Sequence, residues 1–323
     1  MYGYDIFHEK LLESLITNVR RGNPPHAYIF EGESGVGRFE AARLFAASLV
    51  CTAENQPCGI CHACIGQKAG TNPDVVIVEP EEKRKTIGAD RIRALISDAY
   101  LKPFESARKV YIFKDAKIIT EQAQNAFLKL LEEPPEYAVF IILAENADTL
   151  LQTVRSRCVK IRFAPVSTEK LTAYIKKIAP QCDNVDFVIR YAHGIPGEAE
   201  RILSDADFDI TRKASIAQLG LLFDAKPISA YKIADFIDEN KDNADLILSF
   251  WREAVRDILL ISSRSESIIT NCDCLDELKK YANTYPPSDM VKILTEITQS
   301  EEMLRRYVST RAVFVRLGLK LCK

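Results

Sequence analysis

An α/β domain built on a parallel sheet, followed by an all-helical remainder, is the fold this sequence predicts, on three observations. Short apolar, β-rich runs alternate with helical patterns through the first half of the chain. The runs at 75–78 and 138–144 are almost wholly apolar, as strands covered by helices on both faces must be. Beyond Pro165 the strand-like runs fade and helical periodicity takes over. With 323 residues, 47% of them hydrophobic, the chain has material for real cores, and ~150 residues per domain suggests two or three of them. Disorder is excluded on the same grounds.

The strand candidates, in order, are 27–30, 75–78, 110–113, 138–144 and 159–163. Between the first and the next helical stretch stands Gly32-Glu-Ser-Gly-Val-Gly37-Arg38-Phe39, with Ala41, Ala42, Leu44, Phe45 and Leu49 continuing as a helix. Ala123, Ala126, Phe127, Leu130 and Leu131 recur at helical spacing, and Pro134-Pro135 stops that helix before the run at 138–144. The βαβ alternation assigns 1–165 to the α/β domain. Ser167 or Thr168 can cap the helix that opens the remainder. A turn at Gly194-Ile-Pro-Gly197 and an acidic stretch at 205–209 divide this remainder into a small helical domain, 166–208, and a larger one, 209–323. In the latter Ile247, Phe250, Trp251, Ala254, Val255, Ile258 and Leu259 form an apolar stripe, read as core ahead of an oligomer interface.

Charge narrows the function classes. There are 43 Lys+Arg against 45 Asp+Glu, a net of −2, so no global electrostatic pull toward nucleic acid exists. Lys83, Arg84, Lys85, Arg91 and Arg93 form a local basic group, but Glu81 and Glu82 sit beside them and favour a solvated face over a DNA contact. The first ten residues lack the plan of a signal peptide and no apolar run reaches the ~18 residues of a membrane span. The expectation is a cytoplasmic protein without a membrane partner, in which 9 cysteines point to metal ligation or burial rather than disulfides.

The loop at 32–39 has the layout of a P-loop, G-x-x-x-x-G-K-[ST], in which backbone N–H groups cradle phosphates, Lys reaches the β/γ oxygens and the hydroxyl ligates Mg²⁺. Gly32 and Gly37 hold their positions and Gly35 adds freedom, but Arg38 replaces the Lys and Phe39 replaces the hydroxyl. Residual nucleotide binding there is weak or absent. The acidic residue that should end the strand at 110–113 and hold Mg²⁺ is replaced by Lys114, with Asp115 one place too late. Two independent losses disfavour ATP hydrolysis.

Cys51, Cys58, Cys61 and Cys64 form C-x6-C-x2-C-x2-C, with Pro57 and Gly59 at the turns. This spacing fits a closed tetrahedral Zn²⁺ site, structural rather than catalytic because no coordination position stays open. His62 stands between two of the ligands and is expected to be exposed. Cys158, Cys182, Cys272, Cys274 and Cys322 show no comparable pattern, and Cys272-Asp-Cys274 is read as incidental.

Together the degenerate P-loop, the four-Cys insertion after its helix, Asn125-Ala-Phe-Leu-Lys-Leu-Leu-Glu-Glu-Pro-Pro135 and Ser156-Arg157-Cys158 resemble the bacterial clamp-loader AAA+ family. The resemblance implies a P-loop (AAA+) domain, a small helical lid and an all-α C-terminal collar. It also implies that Arg157, flanked by Ser156 and Cys158, acts in trans as an arginine finger in a neighbour's ATP site. The family's sensor-2 Arg falls near the turn at 194–197, where Gly197 replaces it. The partners implied are other loader subunits, delta and gamma/tau, in a hetero-oligomeric ring, with the sliding clamp and primed DNA reached through the complex. An ATP-hydrolysing loader subunit and a stand-alone zinc-bearing DNA-binding module are the rival readings.

Overall fold

In a computed structural model of the protein, the structure describes residues 7–22, 24–81, 84–182, 184–224, 226–265, 268–306 and 308–322. Glu82 and Lys83 of the basic stretch, and residues 1–6 of the segment weighed as a leader, lie outside them. The described residues form two compact units, one of Met1–Tyr174 with Gly194–Glu198, the other of Ile175–His193 with Ala199–Lys323. Among the described residues no helix is long and apolar enough to cross a membrane.

The first unit carries α1 (Glu9–Arg20), β1 (Ala27–Glu31), α2 (Arg38–Val50), α3 (His62–Ala69), β2 (Val75–Val78), α4 (Ala89–Ala99), β3 (Lys109–Phe113), α5 (Glu121–Glu132), β4 (Ala138–Ala144), α6 (Gln152–Arg155) and β5 (Val159–Arg162). The strands form one sheet in the order β2-β3-β4-β1-β5. Every pairing is parallel, with Ala27 opposite Phe140, Tyr28 opposite Val159, Val75 opposite Val110 and Lys109 opposite Ala138. The expected parallel α/β sheet is therefore present, each candidate run landing on a strand.

Alternation along the strands explains why the runs read as almost continuously apolar. Tyr28, Phe30, Val110, Ile112, Val139, Ile141 and Leu143 face a core shared with Leu12, Leu15, Phe45 and Leu49 of α1 and α2. Ala27, Ile29, Tyr111, Phe113, Phe140 and Ile142 face the opposite core, built with Ile92 and Leu95 of α4 and Ala123, Phe127, Leu130 and Leu131 of α5. All of β4 is buried, because the central strand has no solvent face. Edge strand β5 differs: its Lys160 reaches Glu31 at 2.8 Å, and its charged side chains stand outward as edge protection.

After β5 all further regular elements among the described residues are helices: α7 (Thr168–Ile178), α8 (Val185–Tyr191), α9 (Pro196–Ser204), α10 (Phe208–Ala217), α11 (Gly220–Phe223), α12 (Pro227–Glu239), α13 (Ala244–Ser262), α14 (Leu275–Thr284), α15 (Pro287–Arg305) and α16 (Thr310–Leu321). The apolar stripe of α13 lies in the core of the second unit, with Ile247, Phe250, Trp251, Ala254, Val255 and Ile258 buried and Leu259 packed against it, so its interface alternative falls. The Trp251 indole N–H donates to the Ser215 carbonyl at 2.8 Å, satisfying its one polar atom.

Between Cys272 and Cys274, Asp273 has a structural role that the cysteine spacing does not signal. Asp273 and Asp209 both pair with Arg212, which is fully buried over the Phe187 ring, 4.0 Å from its centroid. A buried guanidinium needs such a shell of acceptors to offset its desolvation.

Candidate functional site

The P-loop joins β1 to α2 at the carboxyl end of the sheet, where backbone must bend sharply. Gly35 and Gly37 adopt φ of +80° and +97°, conformations that favour glycine, and Gly37 caps the N-terminus of α2. Gly32 passes the Phe163 carbonyl so closely that a Cβ would lie 2.4 Å from its oxygen. The glycines that define the motif are thus required by the turn itself.

Phe39 and Lys114 lie close together beside the loop. Phe39 lies in the first turn of α2, and Lys114 directly follows β3. The Lys114 ammonium sits 5.1 Å from the centroid of the Phe39 ring and 2.5 Å from Glu79. Phe39 and Lys114, the residues the sequence reading sets where a P-loop ATPase would hold Mg²⁺, therefore contact each other, a cation over an aromatic face, and neither side chain is a metal donor. Asp115 turns away from ligation: its Oδ1 accepts the Lys117 N–H at 2.9 Å and starts a short 3-10 turn. Burial pushes the Arg38 guanidinium below its usual value, against the carboxylates of Glu145 and Asp115.

The loop is also covered by its own unit. Gly197 N–H donates to the Gly35 carbonyl at 2.9 Å, and a Cβ at Gly197 would stand 2.7 Å from Gly35 Cα. The His8 ring contacts the Val36 carbonyl at 3.0 Å and meets Phe163 edge-on at 4.9 Å. Phe7 meets Tyr174 edge-on at 4.9 Å, while its carbonyl accepts from Lys170 Nζ at 3.0 Å. Sequence reading missed these contacts; the missing Cβ at Gly197 is the signal that bears on one of them.

At the other end of the unit, α6 and the turn after it present Ser156, Arg157 and Cys158. Cys158 packs against the core of the second sheet face, and burial pushes its thiol up to about 12, so it anchors as a neutral side chain. Arg157 is one-third exposed, at 33%, and its guanidinium donates to the Thr153 carbonyl at 2.7 Å, to Ser156 Oγ at 3.3 Å and to Glu132 Oε1 at 2.5 Å. Buried Gln124 braces the approach: its Oε1 accepts the Leu151 N–H at 2.7 Å and its Nε2 donates to the Ile119 carbonyl at 3.1 Å. Glu132 lies in the segment 125–135 that carries the resemblance but was given no role there, and Gln124 just before it was not singled out.

The four cysteines converge. Their Sγ atoms all lie within 4.8 Å of one another, with Cys58–Cys64 and Cys51–Cys61 at 4.0 Å. A tetrahedron of sulfurs ~2.3 Å from Zn²⁺ has edges of about 3.8 Å, whereas a disulfide would need ~2.05 Å. Backbone N–H groups of Cys58, Cys61 and Cys64 point at the sulfurs of Cys51, Cys58 and Cys61, each at 3.4 Å. Burial opposes charge on Cys61, but N–H groups of Cys64 and Thr52 outweigh it and bring its thiol down to about 6. The donor set therefore fits a thiolate-bound ion. His62 stays outside the cluster, exposed and 2.8 Å from Glu105.

Just before β2, the buried carboxylate of Asp74 holds the loop that leads into β3, accepting N–H bonds from Phe104, Glu105 and Ser106 at 2.6, 3.0 and 2.8 Å. Burial works against its charge, yet these donors win and hold its carboxyl below the usual carboxylate range. Of the basic group, Arg84 pairs with Glu81 at 3.4 Å and Arg93 with Asp90 at 2.7 Å, the behaviour of a solvated face.

Residues 7–167 match the family described as DNA polymerase III, delta subunit. The delta' subunit of DNA polymerase III from Bacillus subtilis is 25% identical over 97% of this chain and 95% of its own length. The delta' subunit from Pseudomonas aeruginosa is 37% identical over 43% of each protein. The gamma subunit from Buchnera aphidicola is 29% identical over 64% of this chain and 58% of its own. The chain thus spans nearly all of the Bacillus protein and less than two thirds of the other two.

Proposed function

Since this chain belongs to the clamp-loader family of DNA polymerase III subunits, we propose that it acts as a delta-prime-like subunit that does not itself hydrolyse ATP. The observation that carries this reading is the Lys114–Phe39 contact: both Mg²⁺-ligand positions are filled by groups that cannot bind the ion and that bind each other. The gamma-type rival, favoured by the similarity to a gamma subunit, needs those same positions to hold metal. In the proposed role the chain is a rigid arm of the ring. It supports ATP-driven loading of the sliding clamp on primed DNA beside delta and gamma/tau subunits.

Arg157 is the residue through which the chain acts on a neighbour's ATP site, its guanidinium charge stabilising the transferring phosphoryl group in trans. Cys51, Cys58, Cys61 and Cys64 hold one structural Zn²⁺, which when bound supplies cross-linking of the α2–α3 connection and no chemistry. The division into an AAA+ domain at 1–165, a lid at 166–208 and a collar at 209–323 belongs to the same proposal.

Steady-state ATP hydrolysis by the isolated chain tests the reading. No Mg²⁺-dependent turnover above background is expected; turnover that disappears in Arg38→Ala would overturn it and favour the gamma/tau type.

A further inference from the structure

We infer that Glu132 is a positioning residue for Arg157; the inference rests on the proposed role of Arg157 as a finger in trans. Glu132 is the last residue of α5 and Arg157 follows α6, so each sits at the end of a different helix. A carboxylate there adds to the negative end of the α5 dipole, and the guanidinium facing it offsets both. Arg157 is held on two sides: one terminal nitrogen donates to the Thr153 carbonyl at 2.7 Å, the other to Glu132 at 2.5 Å.

This arrangement leaves hydrogens free. A guanidinium has five N–H donors in a fixed fork. Thr153 and Ser156 take both hydrogens of one terminal nitrogen and Glu132 takes one of the other's, leaving the Nε–H and one terminal N–H for an incoming phosphate. A long arginine side chain free at a surface spends most of its time in other rotamers, and ordering it costs side-chain entropy. Glu132 and Thr153 order it in advance, so less is lost when a neighbour's phosphate arrives. The bracing of α6 through Gln124 and the packing of half-buried Cys158 against the core fix the backbone from which Arg157 projects. Glu132 remains half exposed, at 50%, so the pair is weak enough to yield a hydrogen bond to a stronger anion.

The test is a double-mutant cycle in the reconstituted loader containing the full chain, with Glu132→Ala, Glu132→Gln, Arg157→Ala and the Glu132→Ala/Arg157→Ala pair, reading kcat and KM for ATP separately. Glu132→Ala is expected to remove part of the kcat that Arg157→Ala removes, with the affected site slowed up to roughly fivefold and KM unchanged. Glu132→Gln, which keeps an acceptor, is expected to restore part of that loss. The double variant should match Arg157→Ala alone. If Arg157→Ala lowers kcat while Glu132→Ala leaves it unchanged, or if the two effects multiply, the positioning role is wrong and the finger stands. If Arg157→Ala itself leaves kcat unchanged, the finger reading fails first.

Discussion

Gly197→Ala should destabilise the first unit, although Gly-to-Ala changes in helices ordinarily stabilise. Gly197 is the second residue of α9, and its amide donates to the Gly35 carbonyl at 2.9 Å. An added Cβ would stand 2.7 Å from Gly35 Cα and 3.1 Å from its carbonyl oxygen. Both are backbone atoms, so no side chain can swing aside. Reaching ordinary contact at 3.4 Å requires a displacement of 3.4 − 2.7 = 0.7 Å. Added along the hydrogen bond, that makes 2.9 + 0.7 = 3.6 Å, which is beyond a useful distance. Overpacking costs about 1–3 kcal/mol and the lost bond about 0.5–1.5 kcal/mol, against a helix gain of about 0.5–1 kcal/mol. A net loss of about 1–3 kcal/mol follows. Gly66→Ala is the control: in α3 its Cβ would find Asn72 at 3.5 Å, an ordinary contact, so it should be neutral or slightly stabilising. Denaturant unfolding followed by far-UV circular dichroism reads the change, while the fluorescence of the single tryptophan, Trp251, reports the second unit and should stay in place. Gly197→Ala unfolding at or above the denaturant midpoint of the unsubstituted protein would refute the interlock.

Elemental analysis of protein prepared without chelator should find about one Zn²⁺ per chain, and Cys61→Ser should lower both the metal content and the thermal midpoint of the first unit. Metal-free protein of full stability, or a disulfide within the cluster, would contradict this. Asp74 is expected to set part of the acid stability. Because its folded value lies below that of an unfolded carboxyl near ~3.9, its contribution is fully present above that pH and fades as pH falls through the folded value. Asp74→Asn should cost about 2–3 kcal/mol at neutral pH and flatten the pH dependence of unfolding below pH ~4; equal acid slopes would rule out that role.

Sequence order made local features legible and hid those that join distant segments. The five strands were readable because each run is short, apolar and bounded, and β4 because both of its faces are buried. The P-loop and the cysteine quartet are set by spacing within a dozen or so residues, so their glycines and sulfurs announce themselves. The Gly35–Gly197 interlock, the Lys114–Phe39 contact and the Arg157–Glu132 pair join residues far apart in sequence, and no periodicity encodes them. Gly197 drew notice only because the resemblance expects an arginine near it, and its close approach to Gly35 was not legible. A lone charge carries equally little signal: Asp273, between two unremarkable cysteines, is half of the carboxylate pair around a buried arginine. The stripe on α13 illustrates the remaining ambiguity, since one apolar face fits a core or an interface until burial decides.

The central claim, a subunit that hydrolyses nothing itself and completes a neighbour's site with Arg157, is tested most directly by ATP hydrolysis in the reconstituted loader carrying Arg157→Ala. A guanidinium in trans contributes ~10³–10⁵ in rate at the site it serves. That one site should fall silent, so total turnover should drop by that site's share, with matched thermal melts showing a folded subunit. Hydrolysis and clamp loading at the unsubstituted rate, with Arg157→Ala incorporated in the complex, would contradict the account.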